Sequence, residues 1–223
     1  MDKKNSLWEN QYLKTGQLWA SEPEAALAKY VSLVSKDKKV LDLGMGEGRN
    51  ALYFAGQGFK VAGTDFSTTA VERCKEKAEQ LGLEVHMSAG NLKDYEIAPE
   101  SCSLIIMANV LNFFRDREID MILKKVEQGL QDGGLLYLNV FDSYEPGMQK
   151  LKEHGSEVAP GTFYRKQTDS YVHFFTCEEL EEKLERFETI HKSDYQSLDL
   201  SHGEPHVHSG VELLVRRKCQ PFV

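Results

Sequence analysis

Val40-Leu41-Asp42-Leu43-Gly44-Met45-Gly46-Glu47-Gly48 reads as a buried strand that runs into a glycine-rich turn and then into a helix. Gly44 and Gly46 permit backbone conformations closed to residues with a Cβ, and they let a ligand lie against the main chain. The N-terminus of the following helix adds unpaired N–H groups. Together these features point to a nucleotide-type ligand. A dinucleotide site would need a glycine or alanine three positions after Gly46, where close helix packing accompanies a pyrophosphate. Arg49 stands there instead. An acidic residue precedes the first glycine by two positions, giving Asp-x-Gly-x-Gly-x-Gly, and 21 residues after Gly44 the apolar run Phe59-Lys60-Val61-Ala62-Gly63-Thr64 ends at Asp65. A carboxylate at the end of a second strand suits the two hydroxyls of a ribose.

The composition narrows the class of partner. A chain of 223 residues, 41% hydrophobic, is long enough for one sizeable core. Its formal charge of −8 disfavours phosphate backbones and anionic membranes, so a small molecule is the expected partner, with no nucleic acid and no membrane. Cys74, Cys102, Cys177 and Cys219 are far apart and form no Cys-x-x-Cys pair, which indicates neither a zinc site nor a disulfide framework and fits a reducing cytoplasm. Met1-Asp2-Lys3-Lys4 leads into polar residues rather than an apolar signal core, and the apolar stretch Leu104 to Phe114 is too short to span a bilayer.

Short apolar strands alternate with helical patterns, the signature of a doubly wound, mostly parallel α/β sheet covered on both faces. Strands are expected near 38–43, 59–64, 83–88, 103–108, 134–141, 188–197 and 208–217. Ala70, Val71, Cys74, Ala78 and Leu81 form one helical face behind a Ser67 cap, and Ile119, Ile122, Leu123, Val126 and Leu130 form another. Asp132-Gly133-Gly134 is expected to turn the chain into the fifth strand. A capping box from Thr176 to Glu179 opens a helix that buries Leu180, Leu184 and Phe187. Residues 142–175 read as an insertion beside the active site, and residues 1–36 as a helical segment ahead of the main domain, 37–223.

The acidic and glycine motif with Asp65 resembles the class I S-adenosylmethionine-dependent methyltransferases. That resemblance implies a Rossmann-like seven-stranded sheet with an antiparallel last strand, and S-adenosyl-L-methionine as cofactor. It implies that Asp42, Gly44, Gly46, Asp65 and Phe66 line the cofactor site, with Asn91 and Leu92 at the adenine, Asn109 under the methionine part and Arg49 toward the carboxylate. The segment Trp8-Glu9-Asn10-Gln11-Tyr12-Leu13 with Trp19 places large aromatics ahead of the first strand. Aromatic faces stabilise cations, and the cofactor is a sulfonium. The resemblance therefore implies a lid, with Tyr12 and Trp19 as its binding residues.

Ser201-His202-Gly203-Glu204-Pro205-His206-Val207-His208 places three of the seven histidines within seven residues. With the Gly-Arg-Asn-Ala run after the glycine turn, it resembles the tellurite-resistance-type methyltransferases, which carry Gly-Glu-Leu-His-Arg near this place. His206 then inherits the catalytic role, with His202 and His208 beside it, while Val207 stands where the arginine would be. His208 or Arg165 could take over as oxyanion holder, and Phe174 of the same insertion is a further substrate contact. The expected reaction is methyl transfer to a small acceptor: a chalcogen oxyanion, a thiol or a similar soft metabolite, by a monomer or homodimer. No resident metal is expected. Left open are a metal-assisted enzyme using the histidine cluster with His202 or His173, a histidine-rich surface loop, and a non-catalytic cofactor-binding sensor.

Overall fold

The computed structural model of the protein describes residues 3–19, 21–153, 156–199 and 205–219. A seven-stranded sheet in the order β3-β2-β1-β4-β5-β10-β9 forms its centre. In chain order these are β1 (Lys39–Leu43), β2 (Val61–Asp65), β3 (His86–Ala89), β4 (Cys102–Ala108) and β5 (Leu130–Phe141), then β9 (Phe187–Asp199) and β10 (His206–Arg217). The first five pair in parallel, whereas β10 runs antiparallel to both β5 and β9. The main helices are α1 (Lys3–Lys14), α2 (Ala25–Lys29), α3 (Arg49–Gly56), α4 (Thr68–Leu81) and α5 (Asp116–Gly129), followed by α6 (Pro146–Glu153) and α7 (Cys177–Lys183).

Side chains alternate between the faces of a strand, and the core divides accordingly. Leu41, Leu43, Ile105, Met107, Leu136 and Leu138 pack with Ile119, Ile122 and Val126 of α5 and Leu180 of α7 on one side. Val40, Leu104, Ile106, Leu135 and Tyr137 pack with Leu27 of α2 and Ala51 and Phe54 of α3 on the other. Asp42 lies on the Val40 side, where the same alternation buries a carboxylate. These apolar runs are nearly continuous because a parallel sheet covered on both faces has no wet side.

Three local expectations need correction. Leu81 is 63% exposed, because it ends the last turn of α4, which the left-handed Gly82 terminates above the largely exposed edge strand β3. Leu130 is buried as expected but opens β5 rather than closing α5. Asp132-Gly133-Gly134 lies inside β5 as an irregularity: pairing moves from Cys102 with Leu130 to Leu104 with Leu135, and Gly133 takes a φ of +70°. The caps, by contrast, follow the sequence pattern. Ser67 Oγ accepts the Ala70 N–H at 3.1 Å, and Thr176 Oγ1 accepts the Glu179 N–H at 3.2 Å.

The insertion at 142–175 folds as α6 and a small antiparallel sheet of β6 (Glu157–Ala159), β7 (Thr162–Arg165) and β8 (Ser170–His173). Asn112, buried in the turn after β4, ties this unit to the main sheet. Its amide donates to His173 O at 2.8 Å, and its oxygen accepts the Phe141 N–H at 3.1 Å. Asn112→Ala is expected to leave those backbone groups unpaired and to cost about 1–3 kcal/mol, read as a lower midpoint in urea with an unchanged m-value. An unshifted midpoint would show that the insertion is held without it.

Candidate active site

The strand β1 ends in a turn that only glycine can follow. Gly44 and Gly46 have φ of +77° and +54°. A Cβ on Gly44 would stand 2.6 Å from Val110 Cγ2, and one on Gly46 would stand 2.7 Å from the Tyr12 hydroxyl oxygen. Asp65, at the end of β2, holds the turn in place: Oδ2 accepts the Gly46 N–H and Oδ1 the Ser67 N–H, both at 2.9 Å. Above the carboxyl ends of β1, β2 and β4 lies a cavity of about 770 Å³. Asp42, Gly44, Gly46, Arg49, Asp65, Phe66, Asn91, Leu92 and Asn109 all line it, and so do Tyr12 and Trp19 from the N-terminal segment. Trp8, Val110 and Phe113 complete the aromatic and apolar side of the wall.

Two buried oxygens facing this region have no protein partner among the described residues, Asp42 Oδ2 and Asn109 Oδ1. Asn109 has a φ of +56°, an uncommon backbone state for a residue with a side chain, which turns the chain just after β4. Burial pushes the Asp42 carboxyl from its ordinary 3.8 up to about 7, against the attraction of Arg49. A buried acceptor without a donor costs free energy, so the site is made for a ligand that brings hydrogen-bond donors or positive charge. A ligand with a ribose, an ammonium group and a sulfonium has both, and the glycine turn gives it room. The residues present therefore fit S-adenosylmethionine.

Other groups differ from the sequence expectation. Arg49, expected to reach a ligand carboxylate, is engaged by Glu24, because the chain before α2 brings that acid across to the start of α3. Burial raises the Glu24 pKa despite this partner. Asn91 Oδ1 accepts the Lys93 N–H at 3.0 Å, capping the short turn at 92–94, while the residue still lines the cavity. Asp65 already spends both oxygens on backbone N–H groups, though each retains a lone pair for a further donor.

The N-terminal helix is fastened over the cavity by acids that periodicity did not single out. Glu9 accepts hydrogen bonds from the Ser67 and Thr69 hydroxyls at the start of α4. Glu47, from the glycine turn itself, accepts the Leu18 N–H at 3.0 Å and meets Arg73 at 3.2 Å; Arg73 in turn donates to Tyr12 O at 2.7 Å. Trp19 Nε1 donates to the Tyr12 hydroxyl at 3.0 Å, and Trp8 stands edge-on to Phe113 with centroids 5.3 Å apart. A charged residue next to a glycine turn was the only sequence signal for Glu47, and its partners lie 26 to 29 positions away.

The expected acceptor residues are dispersed. Phe174 is corrected to a core residue: it packs with Met148, Phe163 and Val172 beneath the small sheet rather than on the cavity wall. Arg165 donates to Ser170 Oγ at 3.2 Å and places its guanidinium over the Phe113 ring at 5.8 Å, with desolvation lowering its pKa. His206 and His208 stand together at the start of β10, outside the residues that line the cavity. His208 faces Glu145, which raises its pKa, and stacks on Phe141 with centroids 4.9 Å apart. His202 lies outside the described residues. His173, weighed as a metal ligand, is buried between Thr162 Oγ1 at 2.8 Å and Glu179 at 3.0 Å. No helix among the described residues is long and apolar enough to cross a membrane.

Known proteins share this fold. Residues 40–134 match the family model of a methyltransferase domain. A carboxy-S-adenosyl-L-methionine synthase from Shewanella piezotolerans is 33% identical over 109 residues, 46% of this chain and 44% of its own length. The chain spans about half the length of the carboxy-S-adenosyl-L-methionine synthases it matches. Among solved structures, a SAM-dependent methyltransferase from Methanosarcina mazei superposes with a TM-score of 0.74 at 21% identity, covering 89% of this chain and 100% of that one. TehB from Haemophilus influenzae superposes at 0.69 with 19% identity, covering 96% and 67%. Residues 40–134 thus match a methyltransferase domain, and the residues that line the cavity fit S-adenosylmethionine as its cofactor.

The raised carboxyl of Asp42 has a consequence for the ligand-free protein. A group whose folded pKa lies above its unfolded value contributes stability that is fully present below 3.8 and lost as the pH rises through about 7. Asp42→Asn should remove that loss, so the variant's stability relative to the native protein should climb between pH 4 and 7 and level off above. Urea midpoints of both proteins across that range test this; a constant difference would show that Asp42 titrates normally.

Proposed function

We propose that the protein transfers a methyl group from S-adenosylmethionine to a small, soft nucleophile such as a thiol or a chalcogen oxyanion. The observation that supports this best is the single cavity walled on one side by the glycine turn, Asp42 and Asp65 and on the other by Trp8, Tyr12, Trp19 and Phe113. When bound, S-adenosylmethionine supplies a methyl group made electrophilic by a sulfonium. The chain's own residues have the task of binding, orienting and excluding water. Asp65 and Asn91 are placed for ribose and adenine, and Asp42 and Asn109 offer acceptors to an ammonium group. The aromatic wall favours a cation at its faces.

The acceptor is assigned to the part of the cavity bounded by Trp8, Val110 and Phe113. The Arg165 guanidinium over the Phe113 ring gives that side a desolvated positive charge, which favours an anionic acceptor. A thiolate or an oxyanion arrives with its lone pair already available, so methyl transfer needs no proton taken by His206 or His208, which lie outside the cavity lining. Holding donor and acceptor in line removes entropy and solvent reorganisation from the barrier, an effect that reaches about 7–11 kcal/mol. The net charge of −8 supports a small molecule over a nucleic acid as acceptor.

Two measurements test the reading. Purified protein should bind S-adenosylhomocysteine with a micromolar constant and form it from S-adenosylmethionine in the presence of a thiol, selenite or tellurite, but not of small amines. Asp65→Ala should weaken binding by on the order of tenfold, as expected for the loss of charged hydrogen bonds worth about 1.5–3 kcal/mol. Binding of NAD without binding of S-adenosylmethionine would overturn the proposal.

The N-terminal segment is proposed as the lid of this site. Removal of residues 1–19 should leave the far-ultraviolet spectrum of the sheet domain intact, since α1 adds no strand to it. The same truncation should weaken S-adenosylmethionine more than S-adenosylhomocysteine, whose sulfur is neutral, because the cation-binding faces are lost, by about 1–2 kcal/mol. Equal affinities for both ligands before and after truncation would refute the lid.

A further inference from the structure

Asp199, His206 and His208 meet at one end of the β9–β10 hairpin, and strand geometry explains why. His206 lies opposite Asp199 and His208 opposite Ser197 in the antiparallel register. Residues two apart on a strand share a face, and directly opposed residues share it too, so both imidazoles and the carboxylate project together. His206 Nε2 stands 3.0 Å from His208 Nε2, and His208 Nε2 stands 3.6 Å from Asp199 Oδ2. One ligand-type atom from each of the three lies within 4.8 Å of the others.

His208 is fixed from behind. Its Nδ1 faces both oxygens of Glu145 at 3.3 Å, and its ring stacks on Phe141. Glu145 is buried and itself held by the Ser209 N–H at 2.8 Å. A carboxylate on Nδ1 keeps the ring proton there and turns the Nε2 lone pair toward His206 and Asp199. With the ring proton on Nδ1, His208 Nε2 and Asp199 Oδ2 are two acceptors 3.6 Å apart, which a cation or a second proton between them would relieve. Ligand atoms on a tetrahedral zinc ion at its usual bond lengths are about 3.3 Å apart. The two separations here, 3.0 and 3.6 Å, bracket that spacing, and the third lies within 4.8 Å.

We propose that Asp199, His206 and His208 bind one divalent first-row transition ion, zinc by the chemistry of its ligands, with Glu145 positioning His208. Two imidazoles and one carboxylate suit zinc, cobalt or nickel better than magnesium or calcium, which prefer oxygen alone. Three protein ligands leave a coordination position for water or for an anionic or thiol ligand. The site lies at the same edge of the sheet as the carboxyl end of β5, where Phe141 and Glu145 supply its support. The proposal does not depend on the methyl-transfer reading.

The test uses untagged full-length protein stripped with a chelator and then titrated with cobalt(II), followed by its visible absorption, with zinc(II) competition measured by calorimetry. The proposal expects one equivalent, with the intense bands of a four- or five-coordinate ion that zinc abolishes. Glu145→Gln should weaken binding by about 10- to 100-fold, and His206→Asn or His208→Asn by more, while His86→Asn, at an exposed histidine on β3, should change nothing. Affinity for S-adenosylhomocysteine should be the same in all four variants, which shows that they are folded and separates this site from the cofactor site. The absence of stoichiometric binding, or equal binding by the double variant His206→Asn/His208→Asn, would overturn the proposal and leave a hydrogen-bonded histidine pair.

Discussion

The carboxylate of Asp65 ties together the parts on which this structure depends. By accepting the Gly46 and Ser67 N–H groups with separate oxygens, it joins the glycine turn after β1, the end of β2 and the start of α4 into one rigid piece. Each of these backbone donors belongs to a segment whose N–H groups the helices and strands cannot satisfy by themselves. A carboxylate at this junction offsets its own desolvation through those bonds, even though burial still raises its pKa. The cavity floor is therefore preorganised in the ligand-free protein, whereas the roof is a separate element held by its own polar contacts.

That roof is fastened by charge as well as by a small apolar cluster in which Tyr12 and Leu18 pack on Ala70 of α4. Glu9, Glu47 and Arg73 connect α1 and the segment after it to α4 and to the glycine turn. α1 adds no strand to the sheet, so the lid proposed for this segment would move without breaking the sheet's own pairing. Tyr12, the residue that reaches Gly46, is also the hydrogen-bond partner of Trp19, and movement of the roof would move both aromatics together. The glycine at position 46 thus serves two purposes. It allows the positive φ of the turn, and it leaves room for a side chain from the roof.

The far side of the sheet follows a different logic. The β9–β10 hairpin extends beyond the last pairing with β5, which ends at Gly210 and Phe141. The residues beyond it, His206 and His208 with Asp199, lie outside the core clusters and carry polar side chains instead of apolar ones. Glu145, carried by the turn after β5, supports them from the neighbouring unit. Chemistry at this edge is therefore assembled from two connections that meet at the carboxyl end of one central strand, in keeping with the general placement of sites in open α/β sheets.

Much of this molecule is written locally. The order of strands and helices, the glycine turn and the caps at Ser67 and Thr176 follow from period, spacing and the conformational freedom of glycine, which act within a few residues of chain, while the cavity-lining set from Asp42 to Asn109 is what the resemblance to class I methyltransferases implies. The same holds for His206 and His208 sharing a face, since strand alternation requires it. Contacts across long separations were not legible: Glu24 on Arg49, Glu47 on Leu18, Glu145 on His208 and Asn112 on the insertion each join segments 25 or more residues apart. So was the fate of Phe174, whose aromatic ring suits a ligand or a core equally and which the small sheet drew into its own cluster. Sequence determined the fold and the location of the cofactor cavity because backbone geometry sets both. Tertiary structure alone decided which charges are paired and which are left to meet a ligand, because pairing depends on segments brought together only when the sheet closes.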